Sequence, residues 1–178
     1  RRLEFLNISV LQIPSIKDVL SRKARIDDLK PINVEDLLGR EQVIPNDKLI
    51  SSGIDGLSIC ITGAGGSIGA ELCKQIARFK PRNIILIERN EPSLYKINEE
   101  LKSLIQSDTS LFLYLGCAQN ESFIKKIFTR HQIDRVFHCA AYKHVPLVEH
   151  NPIEGIYNNI KTTKVLTKVS HEKNVKKF

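Results

Sequence analysis

An apolar run that breaks into glycines and resumes as an amphipathic helix constrains this chain more than any other feature. The stretch Ile59 to Ile76 reads ICITGAGGSIGAELCKQI, with Gly63, Gly66 and Gly69 three residues apart and Gly65 between them, directly after the run Leu57 to Ile61. A glycine triplet alone carries little information. Placed after a strand and opening a helix, it predicts backbone N–H groups and a helix N-terminus aimed at a pyrophosphate. The helical half agrees, since Ile68, Leu72, Cys73, Ile76 and Phe79 recur at helical period and are expected on one inward face. The alternative is a tight strand-to-helix turn that binds nothing.

From Gly56 onward strand and helix patterns alternate with short connections, the signature of parallel βαβ units. Asn83 to Ile87 is a nearly unbroken apolar run, as suits a strand buried on both faces. Pro92 is tolerated in a first helical turn, and Leu94, Ile97, Leu101, Leu104 and Ile105 trace the inner face of the helix that follows. Leu111 to Leu115 is the third strand; Phe123, Ile124, Ile127 and Phe128 are the buried side of the third helix; Ile133 to His138 is the fourth strand. Asn151, Pro152 and Glu154 predict a capped helix start, with Ile153, Ile156, Ile160 and Thr163 turned inward. Asn174 to Phe178 leads into a fifth strand. The expected fold is α/β, a Rossmann-like doubly wound parallel sheet, truncated at the start of its fifth strand.

Residues 1–55 follow a different pattern. Asn7 to Ile13 alternates as a short strand does, Ser15 to Leu20 suits one or two helical turns, and Asn33 to Gly39 suits a short capped helix. They read as a linker carrying the tail of an upstream domain, with residues 56–178 as the dinucleotide-binding domain. Composition sets only loose bounds. The 27 lysines and arginines against 20 acidic residues are spread along the chain, so the formal charge of +7 suits an anionic ligand without singling one out. Nucleic acid is not expected as a partner, because aromatics are only 6% and no nucleic-acid motif is present. No metal site is expected, since the five histidines lack zinc-ligand spacing. Cys60, Cys73, Cys117 and Cys139 form no CxxC pair and read as reduced thiols in a cytoplasmic compartment. No apolar run approaches the ~20 residues of a membrane span.

In a dinucleotide fold, a carboxylate about 20 residues past the glycine turn, at the end of the second strand, takes the adenosine ribose hydroxyls. Glu88 stands there. Arg89 follows it and could approach a 2′-phosphate. The cofactor is thus NAD or NADP, with NAD favoured because the carboxylate would repel that phosphate.

The segments TGAGGSIGAELCKQI, IERNEPSLYKI and VFHCAAYKHVPLVEHNPIEGIYNN resemble the extended short-chain dehydrogenase/reductase family, in particular its polysaccharide-biosynthesis, CapD-like group of UDP-N-acetylglucosamine 4,6-dehydratases. The resemblance covers about residues 57 to 178. It implies an NAD(P)-dependent, redox-neutral lyase acting on a UDP-sugar, with general acid-base groups at its proton steps. It further implies that Gly63, Gly65, Gly66, Ser67, Ile68 and Gly69 hold the pyrophosphate, that Glu88 and Arg89 read the ribose, and that Cys117 and Ala118 lie at the adenine. Ala140 and Ala141 would let the cofactor lie against the fourth strand, Lys143 and His144 would contact nicotinamide ribose or substrate, and Asn159 would support the active site from the next helix. Two positions depart from the family pattern. Cys117 stands where relatives carry aspartate, and Thr162 stands where they carry glycine. The resemblance places the catalytic residues beyond Phe178, so the chain alone is expected to be inactive. It also implies a homo-oligomer in the full enzyme and a parent anchored to the membrane upstream, with this domain in the cytoplasm. A non-catalytic dinucleotide-binding module is the alternative.

Overall fold

The computed structural model describes residues 11–12, 20–21, 25, 30–31 and 45–178. The chain divides into two compact units, Arg1–Pro45 and Asn46–Phe178. In the first, β1 (Leu11–Gln12) pairs antiparallel with β2 (Lys30–Pro31). The helical turns expected over Ser15 to Leu20 and Asn33 to Gly39 fall largely outside the described residues.

The second unit opens with a short helix absent from the sequence reading, α1 (Asp47–Ser51), whose cap Asn46 accepts a hydrogen bond from Leu49 N at 3.3 Å. Ile50 and Ile54 pack into the core, so the unit begins at Asn46, ten residues before the boundary read from the sequence. There follow β3 (Ser58–Thr62), α2 (Ser67–Ala77), β4 (Asn83–Glu88), α3 (Glu91–Lys102), β5 (Ser110–Leu115), α4 (Glu121–His131) and β6 (Arg135–His138). After these come α5 (Val145–His150), α6 (Pro152–Ile156), a π-turn at Tyr157–Lys161 and α7 (Thr162–Glu172).

The four strands β3 to β6 form a parallel sheet in the order β5-β4-β3-β6. Successive side chains on a strand point to opposite faces, and both faces are covered. Ile59, Ile61, Ile84 and Leu86 meet α2 and α3 through Cys73, Ile76, Leu94, Ile97 and Leu101. Cys60, Ile85, Ile87 and Val136 meet α4 and α7 through Ile124, Ile127, Phe128, Leu166 and Val169. Central β3 and β4 therefore read as unbroken apolar runs, as strands covered on two sides must. Asn90 and Asn120 cap α3 and α4 by accepting from Ser93 N at 2.9 Å and Phe123 N at 3.1 Å. The last residues pair with β6 at Arg135 and Lys177, where the fifth strand was expected to start.

One face is the reverse of the sequence expectation. Ile153, Ile156 and Ile160 are 69%, 56% and 61% exposed, while Gly155, Asn158, Thr162, Val165, Leu166 and Val169 are buried. The phase is set by a close packing contact, since a Cβ on Gly155 would lie 2.6 Å from Val148 Cγ1. Turning Gly155 onto α5 leaves the isoleucines, about 100° per residue around the helix, on the outer side. The expected cap also differs, because Asn151 donates its side-chain amide back to Leu147 O at 2.9 Å instead of capping α6. Among the described residues no helix is long and apolar enough to cross a membrane.

Candidate functional site

The C-terminal ends of β3, β4, β5 and β6 open on one cleft of about 240 Å3. Its floor is the glycine turn. Gly63 has φ +65°, a left-handed conformation that side chains resist, and a Cβ there would stand 2.7 Å from the Ala140 backbone. Gly69, third in α2, lies against the turn itself, where a Cβ would come within 2.1 Å of Gly63 O. Both contacts press the helix start onto the strand end. Gly66 is the N-cap and lines the cleft, and no side chain caps α2. The first N–H groups of the helix are therefore left for an outside acceptor at the positive end of the helix dipole. This arrangement fits the diphosphate of a dinucleotide.

Glu88 sits at the β4 end, 9% exposed. One carboxylate oxygen accepts from Gly65 N at 3.1 Å; the other accepts from Arg89 N at 2.9 Å and Asn90 N at 3.0 Å. The carboxylate thus braces the glycine turn and keeps only part of its acceptor capacity for a ribose. Arg89 reaches the other way. Its Nη2 donates to Tyr142 Oη at 2.6 Å, its Nη1 to Asn158 Oδ1 at 3.4 Å, and its Cζ stands 4.7 Å from the Tyr142 ring centroid. Asn158, 8% exposed, also accepts from Gln119 Nε2 at 3.4 Å and donates to Asn159 Oδ1 at 3.0 Å. Asn159 closes the network by accepting from Tyr142 N at 2.8 Å and donating to Tyr142 O at 3.2 Å. The π-turn that carries both asparagines therefore fixes the loop after β6.

Of the residues singled out from the sequence, Gly63, Gly65, Gly66, Glu88, Arg89, Cys117, Ala118, Ala140 and Ala141 line the cleft together. Of the other six, Gly69 packs against the turn and Asn159 holds the Tyr142 backbone, and four lie elsewhere. Ile68 is 71% exposed, contrary to its expected inward place, because in the first turn of α2 Gly69, packed against the turn, takes the inward position. Ser67 faces a separate hollow shared with Lys74 and Lys96. Lys143 and His144 lie in an adjoining hollow of about 270 Å3 with Leu147, Val148, Asn151 and Glu154. Tyr142 lines both spaces. Thr162, flagged as a departure from the family pattern, is buried against the cleft directly after the π-turn. Tyr142, Asn158, Ser93 and Cys139 are cleft residues that sequence reasoning missed. The doublet at Asn158 and Asn159 in a helix was the available signal, since asparagine is a poor helix former.

Behind the cleft, His138 joins three elements. Thr163 Oγ1 donates to Asn159 O at 2.7 Å and so accepts from His138 Nε2 at 3.1 Å; His138 Nδ1 then accepts from Thr62 Oγ1 at 2.7 Å. When the ring is neutral its proton sits on Nε2, and burial pushes its pKa below the ordinary histidine value. Burial pushes the Cys139 thiol up, and that of Cys73 to about 12, so neither is a ready nucleophile.

Comparison with known proteins follows the same outline. The family model described as "Polysaccharide biosynthesis protein" matches residues 59–178. The capsular polysaccharide biosynthesis protein CapD of Staphylococcus aureus is 40% identical over 171 residues, 96% of this chain and 28% of its own length. A UDP-N-acetylglucosamine 4,6-dehydratase (inverting) of Campylobacter jejuni is 32% identical over 124 residues, 69% of this chain and 35% of its own length. Among solved structures, a UDP-glucose 4-epimerase from Bifidobacterium longum in complex with NAD+ and UDP superposes with a TM-score of 0.58 at 24% identity, covering 66% of this chain and 34% of that one. The chain spans about a third or less of the length of these relatives.

Proposed function

Because the chain belongs to the polysaccharide-biosynthesis, CapD-like family of extended short-chain dehydrogenase/reductases, we propose that it is the dinucleotide-binding portion of a nucleoside-diphosphate-sugar 4,6-dehydratase with a UDP-N-acetylglucosamine-like substrate. The observation that carries this reading is the uncapped start of α2, pressed onto the end of β3 and opening on a cleft braced by Glu88. Such a helix start binds phosphate oxygens through backbone N–H groups and the helix dipole.

In this reading the first N–H groups of α2 hold the diphosphate. Glu88 offers its remaining acceptor capacity to the adenosine ribose, and Cys117 and Ala118 form the wall at the base. The small side chains of Ala140 and Ala141 leave room for the nicotinamide half beside β6. Lys143 and His144 line the hollow next door, where a sugar nucleotide would approach. When bound, the dinucleotide supplies reversible hydride exchange. The proton-transfer groups are proposed to lie in the part of the relatives' length that this chain does not span. Residues 1–45 are proposed to link this unit to an upstream, membrane-anchored part, and the whole enzyme to be a homo-oligomer working on the cytoplasmic side.

The test is a calorimetric titration of the whole protein with NAD and NADP, followed by incubation with UDP-N-acetylglucosamine and mass analysis for loss of one water. Absence of dinucleotide binding rejects the reading. Binding without turnover by the whole protein favours a non-catalytic module.

A further inference from the structure

We propose that Arg89 and Tyr142 form a strap across the cleft that closes over the bound dinucleotide and limits its release. The inference rests on the reading of the cleft as a dinucleotide site and assigns Tyr142 a role in it. The sheet order places β3 between β4 and β6. Arg89 follows the end of β4, and Tyr142 lies in the loop after β6, so they start from opposite banks about 10 Å apart, two strand spacings. They hydrogen-bond to each other and line the same cleft as the glycine turn that β3 carries between them. A dinucleotide lying along the turn would pass beneath their contact once Arg89 leaves Asn158.

Three features suit this pair to opening and closing. Arg89 is exposed, and its partners Tyr142 and Asn158 are neutral. Among the described residues it enters no ion pair, and the adjacent Glu88 carboxylate is turned away onto three backbone N–H groups. An uncompensated guanidinium is thus held over a groove whose ligand carries a diphosphate, so the closed position gains when the groove is filled. Swinging Arg89 away breaks two hydrogen bonds, the one to Asn158 long, and one cation–π contact, without separating a charge pair. The post on the far bank is firm by contrast, since Asn159 holds the Tyr142 backbone through two hydrogen bonds.

The experiment measures association and dissociation of NADH and of NADPH with the whole protein by stopped flow, using the reduced nicotinamide's own fluorescence. Tyr142→Phe keeps the ring and removes the hydroxyl; Tyr142→Ala removes both contacts. Dissociation is expected to quicken in that order, by about tenfold for the first, the scale of one hydrogen bond to a charged group, with association no slower than wild type. Arg89→Ala, an exposed change, supplies the control that a packing role would not satisfy. In that background Tyr142→Phe should change dissociation no further. Dissociation within twofold of wild type in both tyrosine variants, or effects of Tyr142→Phe and Arg89→Ala that simply add, would overturn the strap while leaving the dinucleotide site standing. A wild-type protein that binds neither dinucleotide overturns both.

Discussion

Gly69→Ala sets two effects of similar size against each other, and the structure decides between them. Gly69 lies within α2, where intrinsic propensity favours alanine over glycine by about 1 kcal/mol. Propensity alone therefore predicts a more stable protein. The added Cβ would stand 2.1 Å from Gly63 O, 2.9 Å from Gly63 C and 3.1 Å from Ala64 Cα. All three are backbone atoms, so no side chain can rotate away, and the helix start must retreat from the turn by about 1 Å. Overpacking of a tight interior costs about 1–3 kcal/mol, and a rigid wall draws the upper part of that range. The net expectation is a loss of about 1–2 kcal/mol, or roughly 4–7 °C in Tm for a unit of this size. The same retreat carries the free N–H groups of α2 off the diphosphate position, weakening dinucleotide binding by about tenfold or more. Gly66→Ala is the matched control, because its nearest neighbour would be Gly63 O at 3.3 Å and its φ of −71° suits alanine; its stability should stay within about 0.5 kcal/mol of wild type. Thermal unfolding followed by circular dichroism and calorimetric titration of NAD and NADP read both quantities in the whole protein. A Gly69→Ala protein as stable as wild type, with unchanged affinity, would refute the argument that this contact positions the helix.

Three further outcomes are expected. Ile85 is fully buried in β4, so Ile85→Ala should cost about 2–5 kcal/mol in denaturant unfolding, and a cost under about 1 kcal/mol would contradict the tight core. His131 and His138 are both held below the ordinary histidine pKa of 6.5 by burial, His131 also by Arg130; as pH falls below about 6.5 the unfolded chain binds protons first, so stability should be flat above that value and decline beneath it. A pH series of Tm measures the slope, and His138→Gln should reduce it. Glu88→Gln places an amide NH2 where at least one of three backbone N–H groups needs an acceptor, and should lower stability by about 1–3 kcal/mol while weakening dinucleotide binding; equal denaturation midpoints for variant and wild type would argue against the brace.

The sheet was legible in the sequence because a parallel sheet covered on both faces demands unbroken apolar runs, and NIILIE or SICIT can hardly sit anywhere else. Its strand ends shifted by only a residue or two, as at Thr62 and Arg135. The glycine turn was legible for a different reason. Its spacing records two steric facts, the left-handed Gly63 and the collision that any side chain at Gly69 would cause. Short polar features were harder to read. Asn46 falls within the expected linker, yet it caps α1, because one capping side chain and two inward isoleucines, Ile50 and Ile54, give so short a helix almost no periodic signal.

The part that escaped the sequence is the helix from Pro152 to Glu172, and the reason is physical. Helical period tells which residues share a face, while the direction of that face is set by the neighbours. Here two stripes compete. One carries Ile153, Ile156 and Ile160; the other carries Gly155, Asn158 and Thr162. Apolar burial favours turning the isoleucines inward, each worth about 1.5–3 kcal/mol when fully covered. Against that stand the close approach of Gly155 to Val148 and the asparagine network, in which Asn158 and Asn159 meet Arg89, Gln119 and the Tyr142 backbone. Rotating the helix to bury the isoleucines would strip these partners from groups already inside the protein, each at about 1–3 kcal/mol. It would also drive branched side chains into the space that only Gly155 fits. The polar stripe therefore wins the inward position because it borders the cleft. The same choice places Asn158 beneath Arg89, so the feature that defeats a hydrophobicity reading of this helix is the one that builds the wall of the binding site.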